Sequence, residues 1–290
     1  MDWTQSLQIA IDYIEKHLTE KLDFEIISSQ AGFSSFYFQR IFNAICGISI
    51  GEYIRYRRLT LAGIDLKTTN EKIINIALKY GYDSPESFTR AFSKFHEISP
   101  SAARKTNCKL NSFSKLTVEI NLKGGIEMDY KIINKDAFFV LEKVSSQSID
   151  DTQNKNTIPA FWEESHRNGT VQKLLELTSD RTNIFGICYG NTLTNKQSFD
   201  YSVAALCDKN TNKPSGFRIN KIPGRTWAVF ECKGPMPDAM QETFHRICTE
   251  FFPTSDYQPT YEMDIEAYPA GNMVSDDYKS EIWITVKKKA

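Results

Sequence analysis

The sequence predicts a multidomain chain: an all-α double helix-turn-helix domain followed by an α+β domain of two β-α-β-β repeats around a central cleft. Three observations lead there. A segment beginning at Phe38 recurs without a gap at Phe88. The spacing of apolar residues changes from helical to alternating across a polar stretch at about residues 107–127. Beyond that stretch, the order strand, helix, strand, strand occurs twice.

At 290 residues the chain has room for two domains of ordinary size, and its 41% hydrophobic and 24% charged residues are those of a globular protein. No apolar run approaches the roughly 20 residues needed to cross a bilayer. Met1-Asp2-Trp3-Thr4-Gln5 lacks the basic start and apolar core of a signal peptide, so the expected location is the cytoplasm and no membrane partner is expected. The six cysteines are scattered with no CxxC pair, which gives no support to a zinc or thioredoxin-like site; no metal and no cofactor are expected. The formal net charge is −1, with 14 Lys+Arg against 12 Asp+Glu up to Leu110 and 21 against 24 after it. Any affinity for nucleic acid must therefore come from placed cations rather than a bulk positive field.

The first domain is expected over residues 1–107. Leu7, Ile11, Ile14 and Leu18 share one face of a first helix. Leu22, Ile26, Ile27 and Ala31 do the same in the next, ended by Gly32. Ser34 or Ser35 caps the third. Residues from Ile50 to about Lys67 form one connecting helix of roughly 25 Å at 1.5 Å per residue. Ile73, Ile76, Ala77 and Tyr80 repeat the second helix and end at Gly81. Ser84 then caps a helix with Pro85 in its first position, where the missing N–H costs nothing. Each repeat thus reads as helix, turn, helix.

A helix that reads DNA buries one face and offers the other to the major groove. Phe38, Ile41, Phe42 and Ile45 form the inward face of the first candidate, leaving Phe36, Gln39, Arg40 and Asn43 on the opposite stripe. Phe88, Ala91, Phe92 and Phe95 are inward in the second, leaving Glu86, Thr89, Arg90 and Lys94. Tyr37 and Ser87, beside the helix starts, join these candidates. Gln pairs with adenine, and Arg with guanine or phosphate. Arg55, Arg57 and Arg58 on the connecting helix are candidates for phosphate contacts or for internal salt bridges.

Residues 108–127 are expected to be a linker; alternating Leu116, Val118, Ile120 and Leu122 predict a strand in part of it, before Gly124-Gly125. The second domain, 128–290, should open each half with a strand (Ala137 to Val144, Thr226 to Cys232) and a helix (Ile158 to Leu177, Pro237 to Phe252). The strands that follow are Ile184 to Tyr189 with Tyr201 to Leu206, and Tyr261 to Tyr268 with Glu281 to Val286. On the last strand the branched aliphatics share one face, to pack on helices, while Glu281 and Trp283 share the other. Asp264, Glu266 and Tyr268 share a face on the strand before. Carboxylates beside aromatic rings suit an organic cation. The candidate ligand residues are Trp162, Tyr189, Tyr201, Trp227, Glu266, Tyr268, Glu281 and Trp283.

Gly81-Tyr82-Asp83-Ser84-Pro85-Glu86-Ser87-Phe88-Thr89-Arg90-Ala91-Phe92 and Ile98-Ser99-Pro100 resemble the signature of the AraC family of transcription regulators, over about residues 4–106. The resemblance implies two recognition helices in successive major-groove faces, roughly 34 Å apart. By position it carries DNA contact to Phe36, Gln39 and Arg40, and to Glu86, Thr89 and Arg90. Phe36 departs from the Trp or small polar residue frequent there, and Glu86 is an acid that does not contact phosphate favourably; it accepts from a cytosine N4 or else supports the helix N-terminus. Residues 128–288 resemble the GyrI-like effector-binding domains. The residues concerned are Trp227-Ala228-Val229-Phe230-Glu231-Cys232-Lys233-Gly234-Pro235, Ile265-Glu266-Ala267-Tyr268-Pro269, and Tyr278-Lys279-Ser280-Glu281-Ile282-Trp283. That resemblance implies a pocket in the central cleft for a lipophilic or cationic small molecule, with a glutamate on the last strand, here Glu281. The domain order is similar to that of the Rob-type AraC regulators.

The expectation is a sequence-specific regulator of transcription, not an enzyme, with double-stranded DNA and a small-molecule effector as partners and activation through RNA polymerase. Two alternatives stand beside it. Some GyrI-like domains are hydrolases, which would make Glu281 a general base. A fully packed cleft would instead mark a ligand-free module for protein interaction.

Overall fold

A computed structural model of the chain describes residues 3–105, 108–118, 128–148, 151–178, 181–190 and 198–289. The chain divides into two compact units, Met1–Ser35 with Ile48–Ile120 and Phe36–Gly47 with Asn121–Ala290.

The first unit is helical. In α1 (Trp3–Lys16), Leu7, Ile11 and Ile14 are buried as their spacing demands, as is Leu18 just beyond its end. Asp23 accepts a hydrogen bond from the Glu25 N–H at 2.8 Å and so starts α2 at Phe24, running Phe24–Gln30. Leu22 therefore precedes the helix, and Ile26 is 47% exposed rather than inward; Ile27 and Ala31 are buried as expected. Helix α3 (Ser35–Cys46) belongs to the second unit from Phe36 onward. The connecting helix α4 (Ile50–Thr68) opens with a reciprocal capping box between Ser49 and Glu52. Helices α5 (Ile73–Lys79), α6 (Pro85–His96) and α7 (Pro100–Ala103) follow. Leu59, Ala62, Leu66, Ile76, Ala77, Tyr80, Phe88, Phe92 and Ala103 make one core between them. Ser84 caps α6 with Pro85 in its first turn, as the sequence requires.

The lone inner glycine of α4 has a packing reason: a Cβ on Gly63 would sit 3.1 Å from the ring of His96. His96 is buried there and donates through Nε2 to the Leu59 carbonyl at 3.0 Å. Residues 108–118 form no strand. Their backbone donors bond side chains instead: Phe113 N–H to Thr60 Oγ1 (2.9 Å), Leu116 N–H to the Tyr53 hydroxyl (3.3 Å) and Val118 N–H to Gln8 Oε1 (2.8 Å). Ile120, Leu122, Gly124 and Gly125 lie outside the described residues.

The second unit is built on an eight-stranded antiparallel sheet. Its strands are β1 (Tyr130–Lys135), β2 (Phe138–Ser148), β3 (Asn183–Tyr189), β4 (Ser198–Cys207), β5 (Arg218–Ile222), β6 (Arg225–Lys233), β7 (Tyr257–Pro269) and β8 (Lys279–Lys288), ordered β1-β6-β8-β7-β3-β4-β2-β5. The order reads the same for the two repeats outward from the β7–β3 pair, which relates them by a pseudo-twofold. Sequence periodicity misses β1 and β5. Each pairs with the opening strand of the other repeat, β1 with β6 and β5 with β2. The helix expected over Ile158 to Leu177 is two helices, α8 (Asp151–Arg167) and α9 (Thr170–Leu177), parted at Gly169 with φ 77°. In the second repeat α10 (Asp238–Arg246) runs on through a π-helical turn (Ile247–Phe251) into α11 (Phe252–Thr254).

One face of the sheet carries helices. Leu141, Ile184, Val203 and Ala205 meet Val171 and Leu174 of α9 there. The other face holds a cluster of Val140, Ile187, Ile222, Trp227, Val229 and Ile265. These come from both ends of the strand order, so the sheet curls around them.

Candidate functional site

The helix-bearing face of β3, β4 and β7 holds a candidate site. Strand pairing sets Glu266 opposite Gly186, Asp264 opposite Cys188, and Cys188 opposite Tyr201, so these side chains share one side of the sheet. Gly186 is the floor: a Cβ there would lie 2.2 Å from the Tyr201 hydroxyl and 3.0 Å from Glu266 Oε2. Over that gap the Trp162 indole N–H donates to the Tyr201 hydroxyl (2.8 Å), which donates to Glu266 Oε2 (3.0 Å). The Tyr268 hydroxyl donates to the same oxygen at 3.1 Å. The Trp162 and Tyr268 rings meet edge to face at 5.1 Å. Burial, then the Glu266 charge, raises both phenols well above the ordinary tyrosine value, so both remain donors. Trp162, Tyr201, Glu266 and Tyr268 thus come together as one hydrogen-bonded chain.

Helix α3 lies over this chain. Phe36 packs on Phe199 with ring centroids 3.9 Å apart, in a cluster with Cys188, Tyr201, Phe161 and Trp162. Tyr37 meets Tyr261 at 4.5 Å, and His245 Nδ1 donates to the Ala44 carbonyl at 2.5 Å. The Arg40 guanidinium donates to Asp264 Oδ2 at 2.7 Å, stands 3.5 Å from Glu266 Oε1, and lies 4.2 Å from the ring centre of Phe244. Asp264 is only 2% exposed, and its Oδ1 has no hydrogen-bond partner among the described residues. Burial pushes its carboxyl up to about 6, with Arg40 pulling the other way and Glu266 adding to the rise. Burial works against the charge of Arg40, but Asp264 and Glu266 outweigh it and hold the guanidinium protonated. Tyr261 itself sits at φ 63°, a left-handed conformation rare for an aromatic residue, inside the irregularity of β7 between Pro259 and Asp264.

The remaining candidate ligand residues lie on the other face. Glu281 pairs with Ala267, one residue along from Glu266, and so points to the opposite side. It accepts from Lys131 Nζ at 3.0 Å and from the Trp283 indole at 2.7 Å. Trp227 is fully buried in the curled core, with Trp283 packed on it. The Tyr189 hydroxyl donates to the buried Glu142 at 2.5 Å, which also accepts from Ser202 and Arg218. The eight candidates therefore fall into two separate groups of four. Alternation along one strand says which residues agree in side, but the register between β7 and β8 is what sets Glu281 against Glu266.

The two helices expected to read DNA differ sharply. In α6, Glu86, Thr89, Arg90 and Lys94 are exposed, with Ser87 half-buried, over fully buried Phe88 and Phe92. In α3, Phe36, Tyr37 and Gln39 are buried together with Phe38, Ile41 and Phe42; Arg40 and Asn43 are half-buried. Of the connecting-helix arginines, Arg57 pairs with Glu15 at 2.8 Å and Arg58 donates to the carbonyls of Leu18 and Glu20 at 2.7 Å. Both serve internal contacts, while Arg55 is exposed. Sequence reasoning missed Gly186 and Phe244 at this candidate site, and it put Asp264 on the face of Glu266 without counting it among the candidate ligand residues. A signal was present: the α3 stripe carries Phe36 and Tyr37 where α6 carries Glu86 and Ser87, and two aromatics on a supposedly open face imply a cover.

A family profile described as integron-associated effector binding protein matches residues 131–286, and a helix-turn-helix domain profile matches residues 27–106. The chain is 36% identical over 104 residues to the regulatory protein SoxS of Salmonella typhimurium, covering 36% of this chain and 97% of that protein. It is 39% identical over 108 residues to the HTH-type transcriptional activator AarP of Providencia stuartii, covering 37% and 80%. Among solved structures, SAV2435 bound to tetraphenylphosphonium is similar at 20% identity and a TM-score of 0.49, covering 55% of this chain and 94% of that one.

Proposed function

Because the chain belongs to the AraC family of transcription regulators, with an effector-binding domain of the integron-associated, GyrI-like type behind its helix-turn-helix region, we propose that it binds promoter DNA under the control of a lipophilic organic cation. The effector site is the floor of Gly186 with Trp162, Tyr201, Glu266 and Tyr268. The observation that carries this reading is the hydrogen-bonded chain converging on Glu266. Two phenols and an indole fix the carboxylate in an aromatic setting, the arrangement that attracts a delocalised cation by charge and by ring quadrupoles together.

DNA is read by the exposed stripe of α6, with Arg90 as the principal base or phosphate contact, and by Gln39, Arg40 and Asn43 of α3 when that stripe is open. Activation of transcription, through RNA polymerase in the cytoplasm, is the proposed output, and the relative AarP is a transcriptional activator. The hydrolase alternative finds less support: both oxygens of Glu281 already accept hydrogen bonds, and its strand position turns it away from Glu266. The reading as a ligand-free module requires a cleft packed by the sheet and helices of the effector-binding domain themselves. The aromatic chain is covered by α3 instead.

The test is binding of tetraphenylphosphonium to the full chain, followed by tryptophan fluorescence, against tetraphenylborate, which has the same shape and the opposite charge. The cation should bind in preference, and Glu266→Gln should weaken it at least about tenfold, as loss of a half-buried, hydrogen-bonded charge partner does. Equal binding of the two ions would refute the cation site. Consumption of an added ligand, stopped by Glu281→Gln, would instead support the hydrolase.

A further inference from the structure

The cation facing Asp264 and Glu266 belongs to the chain itself. Arg40 meets them as a free organic cation would: a planar, delocalised charge over the Phe244 ring, with one short contact to a carboxylate and a longer one to its neighbour. Phe36 and Tyr37, in the preceding turn of α3, supply the apolar part of that occupant against Phe199 and Tyr261. The fit is incomplete. Asp264 Oδ1 is left without a hydrogen-bond partner among the described residues, and the contact to Glu266 is 3.5 Å, beyond a good charged hydrogen bond. A guanidinium held to Glu266 by so long a contact is one that a second cation can displace.

Arg40 is also the residue that its position in the repeated unit marks for DNA. While its guanidinium is on Asp264, the stripe of α3 containing Phe36, Gln39 and Arg40 is covered. No major groove reaches it. The two uses of Arg40 exclude each other.

We propose that Arg40 is an internal ligand of the effector site, so that α3 and a delocalised organic cation compete for Asp264, Glu266 and Phe244, and effector binding frees α3 to read DNA. The ligand class follows from what it displaces: a planar or arylated monocation such as a guanidinium, an amidinium or an arylphosphonium. The coupling sign follows too, since the effector favours the state in which the reading stripe is open. This inference rests on the reading of the aromatic carboxylate chain as the effector site.

The experiment is calorimetric titration of the full chain with tetraphenylphosphonium. An internal competitor lowers the apparent affinity by the fraction of molecules in which it is displaced. Arg40→Ala should therefore bind the cation at least about tenfold more tightly than wild type, if α3 occupies the site more than about nine-tenths of the time. Arg40→Lys, which keeps the charge but not the planar fork, should fall between them. Arg167→Ala, which removes an exposed guanidinium of the same unit, should change nothing. Should Arg40→Ala fail to melt cooperatively, Phe36→Glu with Tyr37→Ser retains Arg40 and installs the α6 residues in its place; tighter binding is again expected. Equal or weaker binding by the folded variants, with the cation still preferred over tetraphenylborate, would overturn the internal ligand and leave the effector site standing. No preference for the cation in wild type or variants would remove the site itself, and the inference with it.

Discussion

The Arg40 guanidinium donates to the buried Asp264 carboxylate at 2.7 Å, whereas Arg90, its counterpart in the second copy of the same unit, is exposed. The two arginines each stand two residues before a fully buried phenylalanine, Phe42 and Phe92. Local sequence gives them one role. Their surroundings give them different states, because Arg40 has found a carboxylate in low dielectric and Arg90 has solvent.

Arg90→Ala should weaken binding to a duplex selected from a random pool by the wild-type chain. A good base contact is worth about 1–3 kcal/mol, and its loss should relax specificity at one position rather than at all of them. Fluorescence anisotropy across single-base variants of the selected duplex measures both. Wild-type affinity and specificity in the variant would show that α6 does not read bases through Arg90.

Saturating tetraphenylphosphonium should raise the affinity of the wild-type chain for that duplex. Coupling energies of this kind are typically about 1–3 kcal/mol, or about 5- to 150-fold, and linkage requires DNA to raise the affinity for the cation by the same factor. Arg40→Ala should weaken the coupling, because the charged part of the internal occupant is gone while Phe36 and Tyr37 remain. An effector that lowered DNA affinity would reverse the sign inferred from the structure.

Gly186→Ala places a methyl 2.2 Å from the Tyr201 hydroxyl, closer than atoms can approach. Tyr201 must move, and with it the bonds to Trp162 and Glu266. Overpacking of this kind costs about 1–3 kcal/mol. Urea unfolding should record the loss of stability, and affinity for tetraphenylphosphonium should fall with it. A variant as stable as wild type, with wild-type affinity, would mean that the hydrogen-bonded chain does not define the site.

The pH dependence has a definite sign. Native Asp264 holds its proton up to about 6, against 3.8 for an ordinary aspartate. The folded state therefore binds more protons than the unfolded state in that window. The stability this group contributes is complete below about pH 4 and is lost as pH rises through about 6, by about 3 kcal/mol in all. Asp264→Asn keeps the shape without the titration. Relative to wild type it should gain stability between pH 4.5 and 7, in urea unfolding followed by tryptophan fluorescence, since three of the four tryptophans lie in the second unit. A difference between the two proteins that stays constant with pH would mean that Asp264 is not a buried carboxyl of raised pKa.

Much of this fold is local and therefore legible in the sequence. The buried stripe of α1, the uninterrupted α4, and the Ser84-Pro85 start of α6 follow from 3.6-residue spacing and capping chemistry. The alternation in β7 correctly put Asp264, Glu266 and Tyr268 on one side. What was hidden is what depends on a partner far along the chain. β1 and β5 are half-exposed strands with weak alternation, and they exist because each completes the other repeat. That Glu281 and Glu266 face opposite sides of the sheet depends on the register of β8 against β7, which neither strand states alone.

The sequence by itself determined that there are two helix-turn-helix units with an arginine in the same register of each, and a duplicated sheet domain with carboxylates and aromatics on its strands. Periodicity suffices for that, because it states which residues share a face. Only the tertiary structure decided which face is covered and by what. Arg40 and Glu266 are separated by more than two hundred residues, and neither carries a mark of the other; their meeting depends on α3 packing with the sheet, where Gly186 leaves room for Tyr201 and the buried Asp264 beside Glu266 requires a cation.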